Sequence, residues 1–271
     1  MRRLIMFALV LGLVSSASAA TVDGLKIHSS SAGSGRTTVV FVHGWTCDSS
    51  SWAAQVPVLS KKYRVLTLDL PGHGQSAATK DGKYSMDLFA RAVEAVRAEA
   101  GTDKIVLVGH SMGAPVIRQY ARLFPQHVAA LVAVDGPLDM RQFPSEFKPP
   151  SLTGPEGLKA REGMIRGMFT PQTPPDVQQK VLAMMLKAPE ATAIGAMGSM
   201  MDPSLRKSDV TPMPALAIWA GTNQQMPKLE EARQTLPKFE QTQVAGTGHF
   251  VMMEKPDEFN RLLTEFVDKQ K

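Results

Sequence analysis

Cysteine is nearly absent: Cys47 stands alone in 271 residues. An internal disulfide is therefore excluded, and stability has to come from a buried core rather than from covalent staples. Cys47 itself is expected to be a small buried filler, with a nucleophilic role as the alternative. Charge is also sparse, at 20% of residues, and the aromatics reach only 6%. The formal balance of +5 is not gathered into any basic run, so nucleic acid is not an expected partner; phosphate binding needs clustered Lys and Arg. After residue 20 no apolar run approaches the roughly 20 residues of a spanning helix, and stable membrane insertion is not expected. Internal repeats and low-complexity tracts are missing as well. What remains is 44% hydrophobic, enough for one large domain or two small ones.

The first twenty residues, MRRLIMFALVLGLVSSASAA, read as a segment apart from the fold. Arg2 and Arg3 give a basic start, Leu4 to Val14 an apolar core, and Ala17-Ser18-Ala19 a small-residue cleavage pattern. That combination is a secretory signal, with a retained N-terminal anchor as the alternative. The expectation is an exported protein, periplasmic or secreted, whose mature chain begins near residue 21 and carries two positive charges fewer.

From there, apolar strands and amphipathic helices alternate. Strands are expected over 37–43, 63–70, 104–109 and 128–135, and helices over 48–60, 85–101 and 111–124. In the second of these helices Phe89, Val93 and Val96 recur at helical spacing, Ser85 can cap the start and Gly101 can end it. Continuous apolar strands separated by helices imply an α/β fold, a mostly parallel central sheet with helices on both faces. The rhythm stops over 137–212, a stretch rich in Met, Pro and Gly with helical patterns and no strong strand. It resumes with strands at 214–221 and 238–246 and a last helix near 256–270. The core is thus expected over 21–136 and 213–271, with 137–212 as an inserted helical cap.

The strongest chemical signal is IVLVGHSMGAPVIRQYA, where a buried strand runs through Gly109-His110-Ser111-Met112-Gly113 directly into a helix. G-x-S-x-G at that junction forces a sharp, strained turn that holds the Ser111 hydroxyl at the sheet's carboxyl edge. The following helix offers backbone N–H groups to developing negative charge. A serine hydroxyl needs a base within reach. Of six histidines, His249, in the Gly-rich loop before the last helix, is the freest to reach that edge; His110, beside the nucleophile, is expected to point away from it.

These motifs resemble the α/β-hydrolase superfamily, over nearly the whole chain after residue 20. VFVHGW (40–45) is similar to that family's oxyanion segment, and the resemblance implies that the backbone N–H groups of Trp45 and Met112 hold the oxyanion. DLPGHGQS (69–76) is similar to the loop after the family's next strand. GTGHFVMMEKPDEF (246–259) is similar to the segment carrying the catalytic histidine, and the insertion matches a cap in position. The HGW and Ser-Met pairing also resembles the cofactor-free haloperoxidase-like branch.

The acid departs from the family's commonest pattern. Where a carboxylate is expected after the strand beyond the cap, the chain reads AGTNQQMP (220–227), with Asn223 and Gln224 in its place. LVAVDGPL (131–138) instead ends a buried strand on Asp135 just before the cap, a place some relatives use. A buried carboxylate is costly unless paired, and a histidine that becomes cationic is a fitting partner. Asp135 is therefore taken as the acid of a displaced triad; the alternatives are a capping role for Asp135 and Asn223 orienting His249. A serine rather than a carboxylate nucleophile implies acyl transfer to water: an ester hydrolase acting on small hydrophobic acyl or aryl esters, without cofactor or metal. Methionines crowd the cap, among them Met164, Met168, Met184, Met185, Met197, Met200 and Met201, and suit an adaptable apolar pocket. Lactone hydrolysis or a cofactor-free perhydrolase activity on the same scaffold is the first alternative, and a non-catalytic ligand-binding protein the second.

Overall fold

The computed structural model of the chain describes residues 20–224 and 226–270. The leader read over residues 1–20 lies outside the described residues apart from Ala20. Two short strands, β1 (Thr21–Val22) and β2 (Leu25–Lys26), pair as a hairpin, whose turn is tied to Arg91 through Asp23. β3 (Ser29–Ala32) and β4 (Thr38–Val42) follow; a 3-10 turn over Ser49–Trp52 and the short α1 (Val56–Leu59) then lead to β5 (Arg64–Leu68). Next come α2 (Met86–Glu99), β6 (Ile105–His110), α3 (Gly113–Leu123) and β7 (Val128–Val134). Then the chain passes through α4 (Gly154–Arg166), α5 (Pro175–Leu186) and α6 (Glu190–Met200) before β8 (Ala215–Ala220). α7 (Leu229–Arg233), β9 (Phe239–Val244), α8 (Val251–Glu254) and α9 (Pro256–Asp268) complete it.

The main sheet has the order β3-β5-β4-β6-β7-β8-β9. Every neighbouring pair is parallel except β3 with β5. β4, β6 and β8 are buried at every residue and β7 at all but Ala129. Burial on both faces removes the two-residue alternation, which is why these strands read as unbroken Val, Ile, Leu and Ala. The helices carry the usual signals: Ser85 Oγ accepts the Leu88 N–H at 3.1 Å to cap α2, with Asp87 in its first turn and Arg97 in its last.

Two sequence expectations needed correction. The helix expected over 48–60 is broken. Asp48 caps only the 3-10 turn, and Pro57, which lacks an N–H, is tolerated in the first turn of a new helix rather than inside a continuous one. The edge strand β3 was not anticipated, because SSSA carries no apolar pattern; it pairs with β5 through the backbone ladder and one hydroxyl–hydroxyl hydrogen bond, Ser30 to Thr67 at 2.7 Å.

The topology places the candidate residues. β6 and β7 are neighbours in register, His110 beside Val134. The residues that follow them, Ser111 and Asp135, therefore emerge side by side at the carboxyl edge.

Candidate active site

Four non-glycine residues among those described have positive φ, and three crowd this edge: Thr46 (54°), Ser111 (52°) and Asp135 (43°). Such backbone is unfavourable for a side-chain-bearing residue, and strain of this kind collects at functional sites. The nearby glycines show what enforces the turns. A Cβ on Gly109 would lie 2.3 Å from the Gly113 carbonyl oxygen, and one on Gly136 would lie 2.5 Å from that of Ser111. Strand, turn and helix pass too closely at these points for any side chain.

Asp135 is buried, with only 8% of its surface exposed, and both of its oxygens are engaged. Oδ1 accepts the Ala220 N–H at 2.9 Å and an Asn223 Nδ2–H at 2.8 Å. Oδ2 accepts from His249 Nδ1 at 2.6 Å. Burial alone would raise the carboxyl pKa; the His249 hydrogen bond, its charge, and the Ala220 and Asn223 bonds outweigh it and hold the pKa below the ordinary value. A carboxylate at Nδ1 fixes the proton there, so the neutral ring keeps its lone pair on Nε2, the atom a base uses. Asn223, weighed as an orienter of His249, reaches the acid instead.

Ser111, Asp135 and His249 line one cavity of about 230 Å3, together with Pro115, Met140, Phe143, Met200, Trp219 and two amide side chains, Gln142 and Asn223. Met140, Gln142, Phe143 and Met200, the last from the end of α6, bring residues of 137–212 into the wall of this cavity. Trp45 and Met112 are buried and are not among the residues described as lining it.

The segment before Trp45 packs on the serine turn: a Cβ on Gly44 would sit 3.1 Å from Ser111 Cβ. His43 Nε2 accepts the Leu70 N–H at 2.9 Å, so its Nδ1 carries the proton and donates to the Gly44 carbonyl, also at 2.9 Å. The Cys47 N–H reaches the same carbonyl at 3.2 Å. In a trans peptide the carbonyl and the next N–H point in opposite directions, so the Trp45 N–H faces away from His43. The Trp45 indole N–H donates to the Ala193 carbonyl at 2.9 Å, which joins this loop to α6.

His110 does more than the sequence suggested. It is buried, and its ring lies 4.7 Å from that of His249. Its Nε2–H donates to the His249 carbonyl at 2.9 Å. Burial, then the neighbouring His249 charge, push its pKa down to about 3, so it is a neutral prop under the histidine loop. Its partner is 139 residues away in sequence, which left no local signal. Cys47 is buried and its thiol is pushed well up by burial; a protonated thiol packs as a small apolar group.

Fold and site together define an enzyme of the hydrolase class on a doubly covered parallel sheet. The chain belongs to the alpha/beta hydrolase fold family, whose model matches residues 37–180, just over half of it. It is 29% identical over 254 residues to a dihydrolipoyllysine-residue acetyltransferase component of the acetoin cleaving system from Cupriavidus necator, covering 90% of this chain and 67% of that protein. It thus spans about two thirds of that relative's length. It is 27% identical over 274 residues to a 2-hydroxy-6-oxononadienedioate/2-hydroxy-6-oxononatrienedioate hydrolase from Dechloromonas aromatica, covering 90% and 91% of the two chains. Among solved structures, a thermophilic esterase from Thermogutta terrifontis superposes with a TM-score of 0.77 at 25% identity, covering 93% of this chain and 97% of that one. Lactonases and a haloperoxidase occur among the further matches.

Proposed function

We propose that the protein is an exported serine hydrolase that cleaves carboxylic esters of small hydrophobic acyl or aryl groups through an acyl-Ser111 intermediate. The observation that carries this is the His249–Asp135 pair set beside Ser111 in a single cavity. Ser111 attacks the ester carbonyl, and His249 Nε2 takes the hydroxyl proton and returns it to the leaving alcohol. Asp135 holds the ring in the required tautomer and stabilises its charged form. The Trp45 and Met112 amides receive the oxyanion. Water then enters by the same route, with His249 as base, and releases the acid. The helices of 137–212 act as the cap over this pocket.

The lining also bears on substrate class. Apart from His249, the described lining residues include no cationic side chain; besides Ser111, Asp135 and His249, the polar side chains in the lining are the Gln142 and Asn223 amides. A dioate such as the one named for the Dechloromonas relative carries two carboxylates, which bind best to Arg or Lys. A neutral ester or lactone fits these walls better, and a cavity of about 230 Å3, below the roughly 300–1,000 Å3 of drug-sized pockets, suits a small one.

The test is covalent labelling by a fluorophosphonate, read by intact mass, for wild type and Ser111→Ala, followed by turnover of short aryl esters, lactones and a dioate. Single labelling of wild type only, with ester turnover, is the expected result. Turnover that appears only with peroxide would replace ester hydrolysis by perhydrolysis. Failure of the wild type to label would leave a ligand-binding protein as the better account.

A further inference from the structure

His249 lies in a loop where three successive backbone N–H groups have no partner in regular secondary structure, yet each is satisfied. Those of Gly248 and Phe250 both donate to one side chain: Glu254 Oε2 accepts the first at 2.9 Å and Oε1 the second at 3.3 Å. The N–H of His249 itself donates to the Met168 carbonyl in the insertion at 3.1 Å. Glu254 Oε2 also accepts from Thr173 Oγ1 at 2.9 Å, and Thr173, buried, ties back to the Thr170 N–H at 2.9 Å. The approach is backbone to backbone, because a Cβ on Gly248 would lie 2.7 Å from the Met168 oxygen. One carboxyl group therefore grips the chain on either side of His249 and joins it to the strap 168–173.

Resting on Ser111, His249 and Asp135 as the catalytic set, we propose that Glu254 is a positioning residue for His249, and that docking of the strap 168–173 onto it completes the base. The loop needs such a clasp. Gly246-Thr247-Gly248 has little stiffness of its own, yet the ring must meet Asp135 at 2.6 Å while Nε2 faces Ser111. A displacement of about 1 Å at such a site can cost on the order of a hundredfold in rate. His110 props the loop from the sheet side and Glu254 from the outer side. Of these two props only Glu254 also binds 137–212, so it and the hydrogen bond from the His249 N–H to the Met168 carbonyl carry the state of that segment to the base.

The experiment compares wild type with Glu254→Ala, Glu254→Gln and Thr173→Val by three measurements. These are the second-order rate of fluorophosphonate inactivation, the low-field proton resonance of His249 Nδ1–H, and the melting temperature. Glu254→Ala should slow inactivation by about a hundredfold and broaden or abolish the resonance. Glu254→Gln keeps one acceptor oxygen and should recover part of both. Thr173→Val cuts the side-chain link from Glu254 to the strap while leaving both backbone grips and the Met168 carbonyl on the His249 N–H, and should slow inactivation several-fold. Glu254→Ala at the wild-type rate with an intact resonance would overturn the proposal, whatever its melting temperature. Should that variant not fold, Glu254→Gln and Thr173→Val both at the wild-type rate and resonance would overturn it equally. If the wild type itself fails to react, the serine-hydrolase reading falls, but the resonance still decides Glu254: its loss in the variants supports positioning of the His249–Asp135 pair, and its persistence rejects it.

Discussion

Two buried aspartates stand at the ends of two apolar strands of one sheet, in VLTLDLPG and LVAVDGPL. Asp69 follows β5 with 1% of its surface exposed, and Asp135 follows β7 with 8%. Both have carboxyl groups held below the ordinary pKa against the opposing effect of burial. Their partners differ. Asp69 Oδ1 accepts the Ser49 N–H and Oδ2 the Gln75 N–H, each at 2.8 Å, and Gly74 packs so close that a Cβ there would strike the carboxyl group. Asp69 thus ties two loops to the sheet. Asp135 spends one oxygen on the backbone and amide of the β8 turn and gives the other to His249. A strand ending in a buried acid is therefore not a catalytic signal by itself. What separates the two is whether an ionisable side chain or the backbone receives the charge.

The widest separation is kinetic. Asp135→Asn should lower ester turnover and fluorophosphonate reactivity by about ten-thousandfold, because an amide at Nδ1 no longer holds the tautomer or stabilises the cationic ring. Asp69→Asn should leave the rate per folded molecule within several-fold of wild type. Its expected cost is in stability, about 1–3 kcal/mol in urea unfolding, since an amide offers one acceptor oxygen where two N–H groups need one each. Turnover by both variants, normalised to active-site titre, checks this pair of outcomes. A large rate loss in Asp69→Asn with unchanged stability would erase the distinction.

The two aspartates also mark how far the sequence could be read. Strands β4 to β8 were legible because double burial imposes unbroken apolar runs, and the turn at Ser111 because its geometry demands glycine at fixed positions. Asp135 was singled out over Asp69 only because a resemblance directed attention to the turn before the insertion and because AGTNQQMP lacks an acid; the chemistry of a costly buried charge applies equally to both. Partners far apart in sequence were not legible. His110 is expected from sequence to turn away from the serine, but nothing local announces that it meets the His249 carbonyl. Glu254 stood in a segment already noted for its histidine, and its second hold, Thr173, lies 81 residues upstream. The β3 edge was missed because backbone pairing leaves no side-chain pattern.

Asn223 sharpens the comparison at a smaller scale. Its Nδ2–H donates to Asp135 Oδ1 beside the Ala220 N–H, so it fixes the rotation of the carboxyl group that presents Oδ2 to His249. Asn223→Ala removes one of these holds and should slow turnover about tenfold, the worth of one hydrogen bond to a charged group. Asn223→Asp should be worse at low pH. Two carboxylates at hydrogen-bond distance raise one another's pKa, so the acid limb of the pH–rate profile should move upward. An unchanged profile in Asn223→Asp would mean that residue 223 does not act through Asp135.

The effect spread most thinly over pH lies in the acid dependence of stability, where the aspartates should behave alike and the histidines apart from them. His73 and His110 are pushed by burial down to about 3. Between there and the ordinary value near 6.5, the unfolded chain binds protons that the folded chain refuses. Stability must therefore fall as pH drops below about 6.5, by up to roughly 1.4 kcal/mol per pH unit for each histidine. The contribution of a carboxylate with a depressed pKa is fully present above the unfolded value near 3.8 and is lost only as pH falls through the folded one, so Asp69 and Asp135 act below about pH 4. Urea unfolding at pH 7, 6, 5 and 4 separates the two groups. His73→Asn should flatten the slope above pH 4, and Asp69→Asn should leave that slope in place while shifting the whole curve down. A flat wild-type curve between pH 6.5 and 4 would mean that the buried imidazoles accept protons without cost, and that the low-dielectric surroundings invoked for Asp135 do not extend to the layer beneath it.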